Sequence, residues 1–119
     1  MRVLVLGASE KTNRYSNMAI RMLRDYEHEV VAVGNRVGQV LDVPIEKVSD
    51  PHSDVHTITL YIGPANQPPL YNYILETQPK RVIFNPGTEN PELMDLLKKK
   101  EIEIEVACTL VMLRVNQFE

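Results

Sequence analysis

The chain has 119 residues, of which 44% are apolar and 24% charged, and its net charge is −3 at pH 7. These values predict a folded single domain spanning residues 1–119, and the acidic balance is unlike that of general nucleic-acid-binding proteins. The lone cysteine excludes an internal disulfide and a cysteine-based zinc site. No apolar stretch is long enough for a secretion signal or a membrane span. We therefore expect a cytoplasmic protein with no nucleic-acid or membrane partner.

Short β-branched segments alternate with helical periodicity along the chain, which is typical of a parallel sheet covered by helices on both faces. A first helix is predicted over Ser16–Tyr26, a second after Pro64 with Asn66 as N-cap, and a third with Asn90 as N-cap. The five predicted strands are Val3–Leu6, Glu29–Val33, Thr57–Ile62, Arg81–Phe84 and Ile102–Val106. The face of the first helix predicted to be apolar carries Tyr15, Ala19, Met22, Leu23 and Tyr26.

The segment between residues 37 and 55 has the least regular pattern. Gln39–Leu41 is a candidate short strand, and Pro44–Val48 is a candidate single helical turn. The sequence therefore predicts an α/β domain with a three-layer, doubly wound sheet of about five mostly parallel strands. In such sheets ligands bind beyond the carboxyl ends of the strands, where the strand order reverses.

The loop after the first strand has features of a phosphate site. Gly7 permits a tight turn, Ser9 supplies a hydroxyl group, and Arg14 adds a positive charge before a helix N-terminus. Ser16 either caps that helix or donates to a ligand oxygen. The loop lacks the second and third glycines of the G-x-G-x-x-G fingerprint, so an ordinary strand-to-helix turn is the alternative interpretation.

The loop after the second strand indicates which nucleotide would bind. NAD sites often carry an acid there for the ribose hydroxyl groups, whereas an arginine accommodates a phosphate on the ribose. Here the sequence is Gly34-Asn35-Arg36, with no acid before Asp42. NAD is therefore disfavoured, while NADP and coenzyme A remain. A solvated surface arginine is the alternative interpretation of Arg36.

Other reactive side chains give weaker indications. His52 and His56 flank a turn-rich segment, and we interpret them as surface loop residues rather than metal ligands. His28 is expected in a turn. Cys108 has small apolar neighbours and is expected to be a buried, inert thiol. No catalytic triad, nucleophile elbow or paired carboxylates at a strand end can be recognised.

The chain resembles the small stand-alone coenzyme A-binding proteins, which are similar to the nucleotide-binding domain of the succinyl-coenzyme A synthetase α subunit. Three features carry the resemblance: the Gly7-Ala8-Ser9 turn followed by Arg14-Tyr15-Ser16, the Gly-x-x-Asn-Pro-Glu pattern at residues 87–92, and Cys108 just past the last strand. Many members read Pro-Val-Asn-Pro-Lys after the second strand. Here residues 32–36 are Ala-Val-Gly-Asn-Arg, which keeps the basic last position and loses the prolines.

The resemblance implies a Rossmann-like fold and coenzyme A or an acyl form of it as ligand. It implies that the first loop meets the pyrophosphate and that the second loop meets the adenosine end. With coenzyme A as ligand, we expect Arg36 and Lys11 near the ribose phosphate and the loops after Ile62 and Phe84 at the exit for pantetheine. It implies no reaction. The resulting candidate site residues are Gly7, Ala8, Ser9, Lys11, Arg14, Ser16, Val33, Gly34, Asn35, Arg36, Ile62, Gly63 and Gly87.

Three functions are consistent with these observations. The first is a protein that binds coenzyme A, a small-molecule nucleotide, without catalysis of its own. The second is a small NADP-dependent reductase, for which 119 residues leave little material for a substrate cavity. The third is a regulatory or scaffold protein with a vestigial nucleotide pocket, whose protein partner the sequence does not identify.

Overall fold

A seven-stranded sheet forms the centre of the protein in a computed structural model that describes residues 1–119. The strands are β1 (Arg2–Leu6), β2 (Glu29–Val33), β3 (Gly38–Val40), β4 (Val43–Glu46), β5 (Thr57–Leu60), β6 (Arg81–Phe84) and β7 (Glu103–Val106). The α-helices are α1 (Tyr15–Asp25), α2 (Tyr71–Thr77), α3 (Pro91–Lys99) and α4 (Thr109–Arg114), and two 3₁₀ turns, Pro64–Asn66 and Pro68–Leu70, precede α2. None of the helices has the length and hydropathy that crossing a bilayer requires.

The strand order is β3-β4-β2-β1-β5-β6-β7, and every neighbouring pair is parallel except β3 with β4. The chain first builds outward from β1 through β2 and then returns to the other side of β1 with β5. The strand order therefore reverses between β1 and β5, and the carboxyl ends of these two strands frame the place where doubly wound sheets bind ligands.

Helices cover both faces of the sheet. On one face, α1 and α4 bury Ile20, Leu23, Met112 and Leu113 against β1 and β2, in a cluster closed by Phe118. On the other face, α2 and α3 contribute a second cluster around β5 and β6, with Ile74, Leu93 and Leu97 fully buried. The predicted three-layer, mostly parallel, Rossmann-like α/β fold is confirmed, with two strands more than the predicted number.

The extra strands lie in the segment whose pattern was least regular. The helical turn predicted over Pro44–Val48 is wrong, because Val43–Glu46 is the strand β4 and lies between β2 and β3. Val43 and Ile45 are buried while Pro44 is exposed, which is the period of a strand and not of a helix. The short strand predicted at Gln39–Leu41 exists, shifted by one residue, as β3.

Two helix predictions need correction, and one helix was not predicted. Asn66 does not cap the helix after Gly63, because Pro64–Asn66 forms a 3₁₀ turn and α2 begins only at Tyr71. The helix α4 was not predicted at all, since six residues are too few for a clear period. The apolar face of α1 is rotated from the predicted one: Tyr15 and Tyr26 are exposed, and Ile20 is buried instead. Asn90 caps α3 as predicted, accepting from two backbone N–H groups of its first turn.

The two chain ends meet around buried His28 at the amino edge of the sheet. The Met1 ammonium group lies 3.2 Å from His28 Nδ1, and the ring packs 5.2 Å from the ring of Phe118. Arg81 donates to the Phe118 carbonyl oxygen at 2.7 Å and lies 4.7 Å from the ring centroid. His28 is therefore part of the contact that fixes the carboxyl-terminal segment, and not merely a turn residue.

This contact makes stability depend on pH. Burial, assisted by the positive chain terminus, holds the pKa of His28 below its ordinary value, so the folded protein keeps the ring neutral. The unfolded chain takes up the proton near pH 6.5. We expect the free energy of unfolding to be maintained above about pH 6.5 and to fall as the pH drops toward the pKa of the folded state. Urea titrations at about pH 7.5, 6.5 and 5.5 measure it.

His28→Gln supplies the control, because glutamine stays neutral throughout this range. The variant should lose less stability than the parent on acidification. Part of the pH dependence should remain, because burial also lowers the pKa of His56. Equal pH dependence in the two proteins would contradict the assignment to His28.

Candidate functional site

A cleft of about 940 Å³ opens at the carboxyl ends of the strands, at the reversal between β1 and β5. All the candidate residues named from the sequence line this cleft. Gly7, Ala8, Ser9, Lys11, Arg14 and Ser16 come from the first loop and the start of α1, Val33, Gly34, Asn35 and Arg36 from the end of β2, and Ile62, Gly63 and Gly87 from the loops after β5 and β6. The structure therefore brings together residues from loops that follow four different strands, β1, β2, β5 and β6.

Gly7 packs against the segment that follows β5. Its φ of +99° is in the region that side chains disfavour, and a Cβ atom would lie 2.9 Å from the Tyr61 backbone and from the side chain of Ile62. The N–H groups of Gly7 and Ala8 both donate to the Val33 carbonyl oxygen, at 2.8 and 2.9 Å. These contacts fix the loop between β2 on one side and β5 on the other.

Gly34 makes a second close approach. A Cβ atom there would lie 2.3 Å from the Ala8 carbonyl oxygen, although the backbone conformation itself suits any residue. Its N–H group donates to the Glu46 carbonyl oxygen at 2.9 Å. The first two loops thus pack backbone to backbone, and this steric requirement accounts for a glycine at the position.

The amino end of α1 borders the cleft without a side-chain cap. The N-cap residue is Arg14, whose side chain makes no capping hydrogen bond, and the first turn contains no acidic residue. Ser16 is a buried residue inside the first turn, so its predicted capping role is wrong. The backbone N–H groups without a side-chain cap and the positive end of the helix dipole are available to an anion.

Buried Asn17 holds the first loop against this helix. Its amide Nδ2 donates to the Ser9 carbonyl oxygen at 3.0 Å, and its Oδ1 accepts from Arg21 Nε at 2.9 Å. The Ser9 hydroxyl group accepts from the Lys11 N–H group at 3.1 Å, so it shapes the turn from within. Sequence reasoning missed Asn17, because nothing in a helical asparagine distinguishes a loop contact from a solvated side chain.

Glu10 connects the first loop to the β3–β4 hairpin. Its Oε2 accepts from the Gln39 N–H group at 2.9 Å, and a Cβ atom at Gly38 would lie 2.3 Å from its carboxyl carbon. The turn of the same hairpin is tied to α1 by Arg24, whose Nη2 lies 2.7 Å from Asp42 Oδ2. The hairpin, which lies beside the cleft without lining it, is therefore fixed at two points.

The charge of the cleft is positive. Lys11, Arg14 and Arg36 line it and form no ion pair within the protein, whereas Arg2, Arg24 and Arg81 are all paired with carboxylates elsewhere. Glu10 is the one acidic residue of the lining, and its carboxylate is occupied by Gln39. Cations without partners beside an uncapped helix end favour a ligand with several negative charges.

The opposite wall is formed by the loops after β5 and β6. Gly87 has a φ of +92°, and its N–H group donates to Glu89 Oε1 at 2.8 Å. Thr88 donates from its hydroxyl group to the Asn85 carbonyl oxygen at 2.7 Å, which closes the turn before the Asn90 cap. Residues 87–90, the first four positions of the Gly-x-x-Asn-Pro-Glu pattern, therefore each have a structural role.

Two other side chains near this edge bear on chemistry. The hydroxyl group of Tyr61 is buried, and burial raises its pKa to about 12, so it keeps its proton at neutral pH. Cys108 precedes α4, is partly rather than fully buried and does not line the cleft. The expectation of a fully buried thiol is therefore wrong.

The histidines lie away from the cleft. His52 Nε2 contacts Glu46 Oε1, and His56 Nδ1 lies 2.8 Å from Thr57 Oγ1 before β5. No group of three or more His, Cys, Asp and Glu side chains is arranged to hold a metal ion.

Residues 1–114 match the family described as CoA binding domain. The chain belongs to this family. A crystal structure of an uncharacterised protein shares 48% sequence identity, covers 98% of this chain and 97% of its own, and superimposes with a TM-score of 0.95. The search of curated proteins returned no match.

More distant solved structures share the fold. A hypothetical protein from Pyrococcus horikoshii OT3 has 19% identity and a TM-score of 0.84, covering 98% of this chain and 83% of its own. A protein from Thermus thermophilus has 23% identity and a TM-score of 0.82, covering 98% and 90%. The family match supports a coenzyme A-binding role, and nothing in the comparisons supports the NADP alternative.

The close approach at Gly34 can be tested by stability. We expect Gly34→Ala to lower the free energy of unfolding by about 1–3 kcal/mol, because the added methyl group forces the first loop away from the second. Urea denaturation measures this loss. Gly63→Ala is the matched control: it lies in the same cleft, has a φ of −61°, and its Cβ atom would meet nothing within 4 Å. If the two variants were equally stable, packing between the loops would not be the constraint at Gly34.

Proposed function

We propose that this protein binds coenzyme A or an acyl-coenzyme A in the cleft between β1 and β5 and contributes no catalytic group of its own. The observation that carries the proposal is the uncapped amino end of α1 beside Lys11, Arg14 and Arg36, which have no partners within the protein. A chain of the CoA-binding domain family that places free cations around its ligand cleft has the charge that the ligand requires.

The phosphates account for the two basic regions of the cleft. The pyrophosphate group would lie on the first loop, where backbone N–H groups at the start of α1 and the guanidinium group of Arg14 are donors. The ribose phosphate would lie near Arg36 and Lys11. Arg36 follows β2, at the position from which a ribose substituent is read in doubly wound sheets.

Pantetheine would leave along the other wall. Pantetheine is an uncharged chain, and the loops after β5 and β6 line the cleft with Ile62, Gly63, Asn66, Leu70 and Gly87, none of which is charged. A cleft of about 940 Å³ lies at the upper end of the range for small-molecule sites, which suits a ligand as large as coenzyme A.

The same geometry supports binding without catalysis. A reductase needs a proton donor beside its substrate, and Tyr61, with a pKa of about 12, holds its proton too tightly for that task at neutral pH. The carboxylates of Glu10, which lines the cleft, and of Glu89, which follows the lining residue Thr88, both accept backbone N–H groups. Each is thereby engaged in shaping a loop.

Calorimetric titration with coenzyme A and dephospho-coenzyme A tests the proposal. The parent protein should prefer coenzyme A. Arg36→Ala should reduce or abolish this preference. It should lower the affinity for coenzyme A by about tenfold or more, because a charge-assisted contact to the ribose phosphate is lost. Arg14→Ala should weaken both ligands by a similar factor, because both carry the pyrophosphate group.

Arg114→Ala is the matched control, since Arg114 is exposed in the last turn of α4 and does not line the cleft. Binding to this variant should equal that of the parent. Failure of the parent protein to bind either ligand would overturn the proposal and favour a regulatory role with a vestigial pocket. Unchanged binding in both cleft variants would show that the phosphates lie elsewhere.

A further inference from the structure

Gln67 is a fully buried polar residue that links the loops after β5 and β6. These two loops form the wall of the cleft along which pantetheine is proposed to leave, here called the pantetheine wall. Its Nε2 donates to the Ile62 carbonyl oxygen and to the Thr88 carbonyl oxygen, both at 2.8 Å. Ile62 and Thr88 line the cleft, one from the loop after β5 and the other from the loop after β6, whereas Gln67 itself does not line it. One amide group therefore joins both sides of this wall from behind.

The orientation of this amide is fixed by its third partner. Asn90 Nδ2 donates to Gln67 Oε1 at 2.8 Å, so the oxygen points to Asn90 and the nitrogen points to the two carbonyl groups. Asn90 in turn caps α3 and donates to the Tyr71 hydroxyl group at 2.9 Å. Both N–H hydrogens of the Gln67 amide are donated to carbonyl oxygens. Through Asn90, the same hydrogen-bond network reaches Tyr71 at the start of α2 and the amino end of α3.

We infer that Gln67 is a positioning residue that sets the distance between the loops after β5 and β6, and through it the affinity for the pantetheine half of the ligand. The inference rests on the proposed function, because it assigns those loops to pantetheine. The link is specific to an amide: the position requires two donors toward carbonyl oxygens and one acceptor toward Asn90. Apolar or acidic side chains of similar size lack the donors.

The experiment compares two ligands on the same variants. Gln67→Met keeps the side-chain length and removes all three hydrogen bonds. Gln67→Glu keeps the acceptor for Asn90 and, when ionised, sets a carboxylate against two carbonyl oxygens. Each variant is titrated with coenzyme A and with its nucleotide half alone, ADP with a phosphate on the ribose. Both substitutions should lower the affinity for coenzyme A by about tenfold. The affinity for the nucleotide half should stay within about twofold of the parent value.

Thr77→Val is the control for a general loss of stability. Thr77 is buried in α2 and donates to the Tyr73 carbonyl oxygen at 2.7 Å, so its replacement removes a buried hydrogen bond without touching the loops. It should leave both affinities unchanged. If Gln67→Met does not fold, Gln67→Glu, which is equal in size to glutamine, decides the question.

The outcomes separate the two proposals. A parent protein that binds coenzyme A, together with a Gln67→Met or Gln67→Glu variant that weakens both ligands equally or neither, overturns the positioning role while the proposed function stands. A parent protein that does not bind coenzyme A overturns the proposed function, and the role of Gln67 with it. Selective loss of coenzyme A affinity in the variant supports both.

Discussion

The site depends on the close backbone packing of its first loop. Gly7 lies against Tyr61 and Ile62 on one side, and Gly34 lies against Ala8 on the other, at distances that leave no space for a Cβ atom. The N–H group of Gly7 donates to the Val33 carbonyl oxygen across the same gap. Because β1 is flanked by β2 and β5 where the strand order reverses, these contacts hold the loop at the edge of the sheet where doubly wound folds bind their ligands.

Polar side chains around the cleft fall into two groups with different tasks. Asn17, Glu10 and Gln67 are engaged by the backbone and fix the loops. Arg14 and Arg36 line the cleft and make no ion pair. A buried amide with all its hydrogen bonds satisfied costs little and rigidifies its neighbours, whereas an unpaired cation at an open cleft keeps its charge for a ligand. If the proposed function holds, positioning and recognition are carried by separate residues.

The sequence was informative where the signal is local. The loops that line the cleft follow apolar strands and contain glycine, so 13 of the 22 cleft-lining residues could be named from the sequence, as could the Asn90 cap with Pro91 behind it. The strand β4 was missed because four residues containing a proline carry little periodicity. Gln67 was missed for a different reason: its partners Thr88 and Asn90 lie 21 and 23 residues away, and no local pattern records such contacts.

The loop after β2 is held by hydrogen bonds at both of its ends. The Gly34 N–H group donates to the Glu46 carbonyl oxygen at 2.9 Å, which fixes the start of the loop to β4. Beyond the loop, Glu10 fixes the backbone at Gln39. Only the four residues 35–38 lie between these two contacts, so the segment that carries Arg36 is short and held at both ends. Backbone hydrogen bonds on both sides therefore keep that cation beside the cleft.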